Sequence, residues 1–587
     1  MGEILYNFEI EDIELEKIEE GIKIIKLPEL TEEEINIINP IVAPTSGLRI
    51  QILDVQKEED KESYILTKRK LFLFLRMFKA ISLKFKEIKR NHNLNVLIFT
   101  DDRPTKDILL QYSSQIFAYD GFKIHYQKDS PGESKISSPY GAASVALYKD
   151  INLVLVLTAS HNDLSWNGIK LYIDYPIPMS GSLFMGISKK ALEVNEIPLK
   201  SDFIPISLDA EQKNNDYVIN LLSNVIEIKS IKDKNIVIWP YLGKARGIVN
   251  LFRYYGANIT VVDEELNPPN PLKNIQEKKL QKIMNQVNSN IALLLDADRD
   301  RIVIYVKQNE KFYDYIPNEI YSAMHNILAK EFNKKIINVR TIPSDLRGDR
   351  TSFINILTGV GYKHLGVIMY FLLGIEVEQS KIDTAILYYE DENRNLIKIN
   401  KPTPLRQQII KLMEIQHLDK ASFLMMYWEE SGGHTLNILD IYKDIETGKY
   451  NFTTDFTIIA DKYPVPALVL ITELICRGYI ISESIDWTIK GINDTIPAVD
   501  EMKIKIMKNF EKNDGKTIKI NDKEYSVHAL SDNNNMIDIY QLKSQDSTLY
   551  FRPSGTGPDV RFYIFGKVQT HLDEIKRVQK YVHDNYT

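Results

Sequence analysis

The chain has 587 residues, 44% hydrophobic and 26% charged, with 26 Gly and 23 Pro; at roughly 150 residues per domain this is material for about four domains, with no disordered or fibrous bias. Lys and Arg number 73 against 80 Asp and Glu, a formal charge of −7, so the basic excess that drives nucleic-acid binding is missing. The single cysteine, Cys476, excludes a disulfide framework or a thiolate metal site within one chain, and reads as a buried, inert thiol in a reducing cytoplasm.

Met1-Gly2-Glu3-Ile4 leads into acidic sequence without the basic and apolar regions of a signal peptide, so none is expected. Apolar runs such as 152–159 and 465–471 fall short of the roughly 20 residues of a membrane span, so no membrane role is expected. The first sixty residues are rich in Glu, Ile and Lys. The first clear strand signal is 94–100 (LNVLIFT), followed by the turn Asp101-Asp102-Arg103-Pro104. The pattern of a strand ending in a polar loop recurs at 151–157 (INLVLVL), which runs into Thr158-Ala159-Ser160-His161-Asn162, and at 235–239 (NIVIW), which opens a helical stretch near 243–255. Further on come a strand at 257–263, a Pro-rich turn at 267–271, a polar helix at 273–287 and a strand at 290–295. Next are a helix at 317–330 with Pro317 at its first position, and strands at 335–339 and 384–389 around a loop at 358–366. Continuous β-branched runs alternating with helices predict parallel strands covered on both faces, an α/β architecture. From 492 the composition shifts to Lys, Asn and Asp, with short strands at 517–520, 549–552 and 560–565 and a final helix at 572–582, a small α+β domain. Boundaries near 205, 312 and 491 divide the chain into 1–205, 206–312, 313–490 and 491–587.

Four loops carry chemistry. Asp296-Ala297-Asp298-Arg299-Asp300-Arg301 places three carboxylates at alternate positions after an apolar strand; on one side of a strand end they aim oxygen donors at one hard cation, Mg2+ being the natural candidate. A Ca2+ EF-hand is rejected because Arg301 stands where Gly is needed and Lys307 where Glu is needed; a solvated acidic turn is the bland alternative. In Thr158–Lys170, Ser160 lies next to His161, but neighbouring side chains of an extended segment point apart and no G-x-S-x-G surrounds the serine, which argues against a hydrolase. A serine at a strand mouth can instead carry a covalent phosphoryl group, or simply cap a helix. Arg552-Pro553-Ser554-Gly555-Thr556-Gly557-Pro558-Asp559-Val560-Arg561 offers amides, hydroxyls and two guanidinium forks for an anion, without a Walker A pattern; a plain turn with surface arginines is the alternative. Glu429-Glu430-Ser431-Gly432-Gly433-His434 can accept hydrogen bonds from sugar hydroxyls, or serve as a helix cap.

Together with Thr45-Ser46-Gly47-Leu48-Arg49, the order and spacing of TASHN with NGIK, DADRDR, EESGG and RPSGTGP resemble the α-D-phosphohexomutase superfamily over nearly the whole chain. The resemblance implies a four-domain fold, three related α/β domains plus the smaller C-terminal one around a central cleft, and a soluble cytoplasmic enzyme that interconverts hexose 1- and 6-phosphates. It implies Ser160 as the phosphoserine, with Asp296, Asp298, Asp300 and a Ser160 phosphoryl oxygen as Mg2+ ligands. Arg49 and Lys170 would flank the transferring group, Lys170 as candidate general acid/base, and His161 would orient the serine. Arg301 would complete the metal loop. Lys363, Glu429 and Ser431 would choose the sugar, and Arg552, Ser554, Gly555, Thr556 and Arg561 would grip the non-reacting phosphate. Hexose 1,6-bisphosphate would be intermediate and activator, and the chain a monomer or weak homodimer. Glucose phosphates are the expected substrates, with mannose, pentose and, least favoured, glucosamine phosphates as alternatives; a non-catalytic sugar-phosphate binder is the rival from another class. Three departures bear on these expectations: Asp163 stands where the family has Pro, Gly557 where it has Glu, and Trp428 where a Gly precedes the acidic pair. His434 sits one residue beyond the place of a family histidine and is given no catalytic role. Asp101-Asp102-Arg103-Pro104 resembles a first-domain loop of the family and is read as packing at least as much as function.

Overall fold

A computed structural model describes residues 8–40, 47–58, 61–90, 92–179, 181–391, 395–554, 558–566 and 571–587. The chain divides into two compact units, Met1–Ile316 with Thr457–Cys476, and Pro317–Phe456 with Arg477–Thr587.

The main sheet of the first unit has six strands in the order Ile206–Leu208, Lys123–Gln127, Asn95–Thr100, Leu153–Leu157, Trp166–Ile173 and Leu48–Gln51. The first four run parallel; Trp166–Ile173 runs antiparallel to both its neighbours. The expectation of parallel strands therefore fails at this edge, because the connection 158–165 is shorter than the dozen or more residues a parallel crossover needs. Leu153–Leu157 is buried throughout, and the long helix Lys68–Lys89, capped by Thr67 accepting from the Lys70 amide, sends Leu71, Phe74, Leu75 and Phe78 into the same core as Ile98, Leu155 and Leu157. Each such side chain contributes roughly 1.5–3 kcal/mol when fully buried. The N-terminal segment, unassigned from sequence, forms strands including Ile22–Lys26, which pairs with the distant Glu196–Lys200.

A second sheet in this unit orders Asn258–Val261, Asn235–Trp239, Ile291–Leu295, Ile302–Gln308 and Lys311–Tyr315, the first three parallel and the last two antiparallel. The apolar helix Val465–Cys476 belongs to this unit, although sequence reading leaves it inside 313–490. Tyr463 donates to Asn214 Oδ1 at 2.8 Å, and the Glu473 carboxylate accepts from the Ser230 and Ile231 amides at 2.8 and 3.1 Å. Cys476 is half-buried instead of buried, and burial pushes its thiol up to about 11.

The second unit holds a seven-stranded sheet in which Ile354–Thr358, Lys335–Thr341 and Lys420–Trp428 run parallel and His434–Lys443 folds back antiparallel. The stretch expected as a loop at 358–366 instead ends a strand and turns through the short helix Tyr362–Leu365. The C-terminal sheet is antiparallel: Ile492–Pro497, Asp559–Gly566, Ser547–Pro553, Ile537–Lys543, Lys523–Ser531 and Thr517–Ile520. Helices Asp500–Phe510 and His571–Tyr586 pack on it through Phe510, Val578 and Val582 against Phe551 and Phe562.

Candidate active site

In the first unit, strand Leu153–Leu157 delivers Thr158 to a chain of hydrogen bonds. The Thr158 hydroxyl donates to Asp101 Oδ2 at 2.7 Å and accepts from the Ser160 amide at 2.8 Å. Ser160 is fully buried with φ +54°, a left-handed conformation that costs a non-glycine residue free energy and persists where surrounding contacts impose it. This corrects the extended geometry assumed from sequence: the turn brings Ser160 Oγ within 3.3 Å of His161 Nδ1. Burial, then the nearby Arg301 and Arg49, push the His161 imidazole down to about 2, so it is neutral.

The imposing contacts come mainly from Arg103, wholly buried. Its guanidinium donates to the carbonyls of Ser160, Asn162, Asp163 and Trp166 at 2.6 to 2.8 Å and to Asp101 Oδ2 at 3.1 Å. Sequence reading left packing and function both open for its loop; Arg103 is the strut of the serine loop. Asp163, where proline was expected, closes its own turn, Oδ1 accepting from the Ser165 amide at 2.8 Å. Gly168 lets strand Leu48–Gln51 approach, since a Cβ there would lie 2.3 Å from the Leu48 carbonyl. The neighbouring Arg49 donates to Asn162 Oδ1 at 3.1 Å.

Strand Ile291–Leu295 leads into Asp296, and the loop beyond it is a tight turn. Asp296 Oδ1 accepts from the Asp300 and Arg301 amides at 3.0 and 3.2 Å, and Arg299 takes φ +62°. The turn brings carboxylate oxygens of Asp296, Asp298 and Asp300 within 4.8 Å of one another, all buried. Ser160 Oγ donates to Asp296 Oδ2 at 3.2 Å. Lys170 Nζ donates to Asp298 at 2.7 Å, Asp300 at 3.1 Å and Ser138 Oγ at 2.9 Å. Burial, then the carboxylates of Asp298 and Asp300, push the Asp296 carboxyl well up. Burial also opposes charge on Asp300, but Lys170, Lys462 and Arg301 outweigh it and hold that carboxyl well down. Burial works against the Lys170 ammonium, which Asp298, Asp300 and Asp461 nevertheless hold above its ordinary range.

Two residues of this cluster escaped sequence reading. Lys462 Nζ lies 3.6 Å from Asp300, and Asp461 accepts from the Tyr172 hydroxyl at 2.5 Å. The available signal was a charged Asp-Lys pair at the mouth of the apolar helix Val465–Cys476.

The second unit gathers the remaining candidates into two places. Glu429 is buried, with the Ser431 hydroxyl donating to its carboxylate, and Gly432 at φ +114° closes the turn beneath it. Trp428, where Gly was expected, is wholly buried and donates to Asn338 Oδ1 at 2.7 Å. His434 faces His325, Nε2 to Nε2 at 3.4 Å, inside the core. The second place is the hairpin on which Arg552 and Arg561 are direct cross-strand partners. Like charges in that position are unfavourable unless compensated; Asp538 lies 3.4 Å from Arg552 and Asp559 lies 3.1 Å from Arg561. Lys503, unassigned from sequence, donates to the Ser554 carbonyl at 3.1 Å. Lys363 stands on its short helix, its ammonium lowered chiefly by burial while Asp538 opposes and Arg552 adds to the effect. Thr45, Ser46, Gly555, Thr556 and Gly557 lie outside the described residues.

Residues 69–196 match the family model for the α/β/α domain I of phosphoglucomutase/phosphomannomutase. Phosphoglucosamine mutase of Ruthia magnifica subsp. Calyptogena magnifica is 27% identical over 164 residues, 27% of this chain and 36% of that protein; the chain thus spans about a third of the length of the curated relative it matches. A putative phosphomannomutase from Thermus thermophilus superposes with a TM-score of 0.56 at 15% identity, covering 92% of this chain and 98% of that one. A phosphoglucomutase/phosphomannomutase family protein from Burkholderia thailandensis gives 0.57 at 11% identity, covering 93% and 97%. The chain shares the fold of these solved structures, and residues 69–196 match the first domain of the phosphoglucomutase/phosphomannomutase model.

Proposed function

We propose that this protein is a Mg2+-dependent phosphosugar mutase interconverting hexose 1-phosphate and hexose 6-phosphate through a phosphoserine at Ser160 and a hexose 1,6-bisphosphate. The observation that carries this reading is the buried Ser160 hydroxyl, 3.2 Å from Asp296 in the three-carboxylate cluster. A phosphoryl carrier needs such a hydroxyl beside oxygen donors able to hold a cation. Among the described residues, Asp298 Oδ1 and Asp300 Oδ1 are buried without a hydrogen-bond partner, and an all-carboxylate donor set suits a hard divalent ion, so the cluster fits Mg2+. Asp296, Asp298, Asp300 and an oxygen of phosphorylated Ser160 would hold it, and when bound it neutralises charge on the transferring phosphoryl group.

The chain's own groups do the rest. The bond from phosphorus to Ser160 Oγ breaks as a sugar hydroxyl oxygen bonds to phosphorus. Arg49, Lys170 and Arg301 clamp the charge, and His161, held neutral, orients Oγ. Lys170 Nζ, beside Asp298 and Asp300, is the candidate general acid/base for the hydroxyl proton. Arg103 and Asp101 hold the loop rigid through the transfer. In the second unit Glu429 and Ser431 accept from and donate to sugar hydroxyls, Lys363 assists the choice of sugar, and the opposed Arg552 and Arg561, with Ser554, Gly555 and Thr556, grip the phosphate that stays. Four domains, divided near 205, 312 and 490 with 457–476 packed on the first unit, are part of this reading. So is a monomer or weak homodimer in the cytoplasm. Among the described residues no helix is long and apolar enough to cross a membrane.

Glucose phosphates are the proposed substrates, with mannose phosphates also accepted; the similarity to a phosphoglucosamine mutase makes glucosamine phosphates the next class to assay. The test is a coupled assay with Mg2+ and a trace of glucose 1,6-bisphosphate, supplying glucose, mannose, glucosamine and ribose 1-phosphates in parallel. Turnover of one sugar that disappears in Ser160→Ala supports the reading. No turnover of any of them, from intact protein phosphorylated at Ser160, would replace it by a sugar-phosphate-binding protein.

A further inference from the structure

The metal loop has a second side. Arg299, between two of the clustered aspartates, points away from them: its left-handed φ of +62° sends the guanidinium to Asp102 Oδ2 at 2.8 Å and to the carbonyls of Leu242 and Ala297 at 2.9 and 2.7 Å. There it lines a cavity of about 330 Å3 within the first unit, at the small end of the range of ligand sites. None of Ser160, Asp296, Asp298, Asp300 or Lys170 lines it.

Its construction is that of an anion site. One wall is the loop Gly243-Lys244-Ala245-Arg246-Gly247, which joins strand Asn235–Trp239 to helix Arg246–Tyr254. A strand, a glycine-bounded loop and a helix N-terminus present backbone N–H groups and positive dipole to a ligand. Gly243 is required here, because its φ is +67° and a Cβ would lie 1.8 Å from Asp102 Oδ2. Neither this helix nor Lys106–Tyr119, whose first residue also lines the cavity, has a side-chain cap at its N-cap residue; in the first of them the Gly247 amide is taken by Glu211. Ser137, capping a third helix, Ser138–Leu147, lines the same space.

The charges are distributed unevenly. Four acids line the wall, and all are engaged: Asp102 with Arg299, Glu133 with Lys135 at 3.1 Å, Glu211 with the Gly247 amide, and Glu265, which is also partnered. Arg246 is paired with Asp129. Among the described residues Lys106 and Lys244 line the cavity without an ion-pair partner, and the Nε of Arg299, a residue 4% exposed, is buried without a hydrogen-bond partner. Burial raises the Glu211 carboxyl to about 7, against the pull of Arg299, which further reduces negative charge near neutrality. Two ammonium groups without an ion-pair partner, beside two helix N-termini without side-chain caps, suit the cavity to one small anion.

We propose that this cavity binds a phosphate-class dianion, inorganic phosphate or the phosphate of a small metabolite, at a site separate from the candidate active site and joined to its metal loop through Arg299. The test is calorimetric titration of the metal-free full-length protein with inorganic phosphate. It is done in an Arg552→Ala background, which removes the other proposed phosphate grip, with and without Lys106→Ala/Lys244→Ala. The double substitution touches no residue assigned to catalysis. It should weaken one phosphate site at least tenfold, and Lys244→Glu should weaken the same site further. Equal affinity in parent and variants, or no phosphate binding by the Arg552→Ala parent, would overturn the proposal. Repeating the titration with glucose 6-phosphate separates free phosphate from a metabolite: tighter binding that still requires Lys106 and Lys244 assigns the site to the metabolite, and weaker binding assigns it to inorganic phosphate.

Discussion

The two units handle charge in opposite ways. In the first, Ser160, Asp296, Asp298 and Asp300 are at most 3% exposed, and Lys170, Lys462 and Arg301 stand against the carboxylates. In the second, two arginines face one another on a hairpin, each with one aspartate beside it, and the Arg561 side chain is 39% exposed. A buried charge must be met by fixed partners because desolvation is too costly otherwise, whereas an exposed cation can wait for its ligand in water at little cost. The first arrangement carries its partners with it throughout, whereas in the second Arg552 is buried beside Asp538 and Arg561 stays partly in water.

Substitutions that exchange these roles should break the contrast. Ser160→Ala should show the largest effect, a loss of mutase turnover of about 10^4-fold with unchanged circular dichroism. Arg103→Met should come next. It removes four carbonyl partners and leaves Asp101 buried without its cation, which should lower the stability of the first unit by about 3–5 kcal/mol, read as a fall in the denaturation midpoint. In the second unit Arg552→Ala should raise KM about thirtyfold with kcat within a few-fold, since a grip on the non-reacting phosphate acts in ground and transition states alike. Equal losses in kcat would place Arg552 in the reacting half instead.

Acid sharpens the comparison from another side. Burial holds His325 down to about 3, and burial with His325 holds His434 well below its ordinary range. Unfolded histidines take up protons near pH 6.5. Between that value and the folded ones the unfolded chain binds more protons, so this contribution is whole above about pH 6.5 and declines as pH falls. The second unit should lose about 1.4 kcal/mol per pH unit for each histidine. Denaturation followed by a probe in that unit checks this, and His325→Phe should flatten the slope. The smallest effect is expected from Arg561→Ala, about twofold to fivefold in KM by steady-state kinetics, because its pair with Asp559 is solvent-screened.

Much of this was legible in residue order. The strand ahead of Ser160 and the strand ahead of Asp296 stand out as continuous apolar runs, and the three aspartates offer a candidate cation site by type and spacing. What misled was local geometry. Ser160 was read as extended, yet it takes a left-handed φ, as does Arg299, and those turns bring the serine to His161 and send Arg299 to the far side of its loop. Such conformations are unfavourable for these residue types alone and are imposed by contacts such as those of Arg103, which reach 57 to 63 positions along the chain. Lys462 and Asp461 were missed for a related reason, Lys462 meeting Asp300 from a segment that follows most of the second unit in sequence.

The order of residues therefore determined the fold class and the family resemblance, and named the candidate loops, because hydrophobic period and side-chain type act locally. Which groups meet was decided by folding. The antiparallel return of Trp166–Ile173 puts Lys170 on the aspartates, the docking of 457–476 on the first unit adds Lys462, and the pairing of two strands sets Arg552 against Arg561. On Lys170 burial and the neighbouring carboxylates then act in opposite directions, and desolvation and Coulomb attraction depend on distances that no spacing along the chain contains.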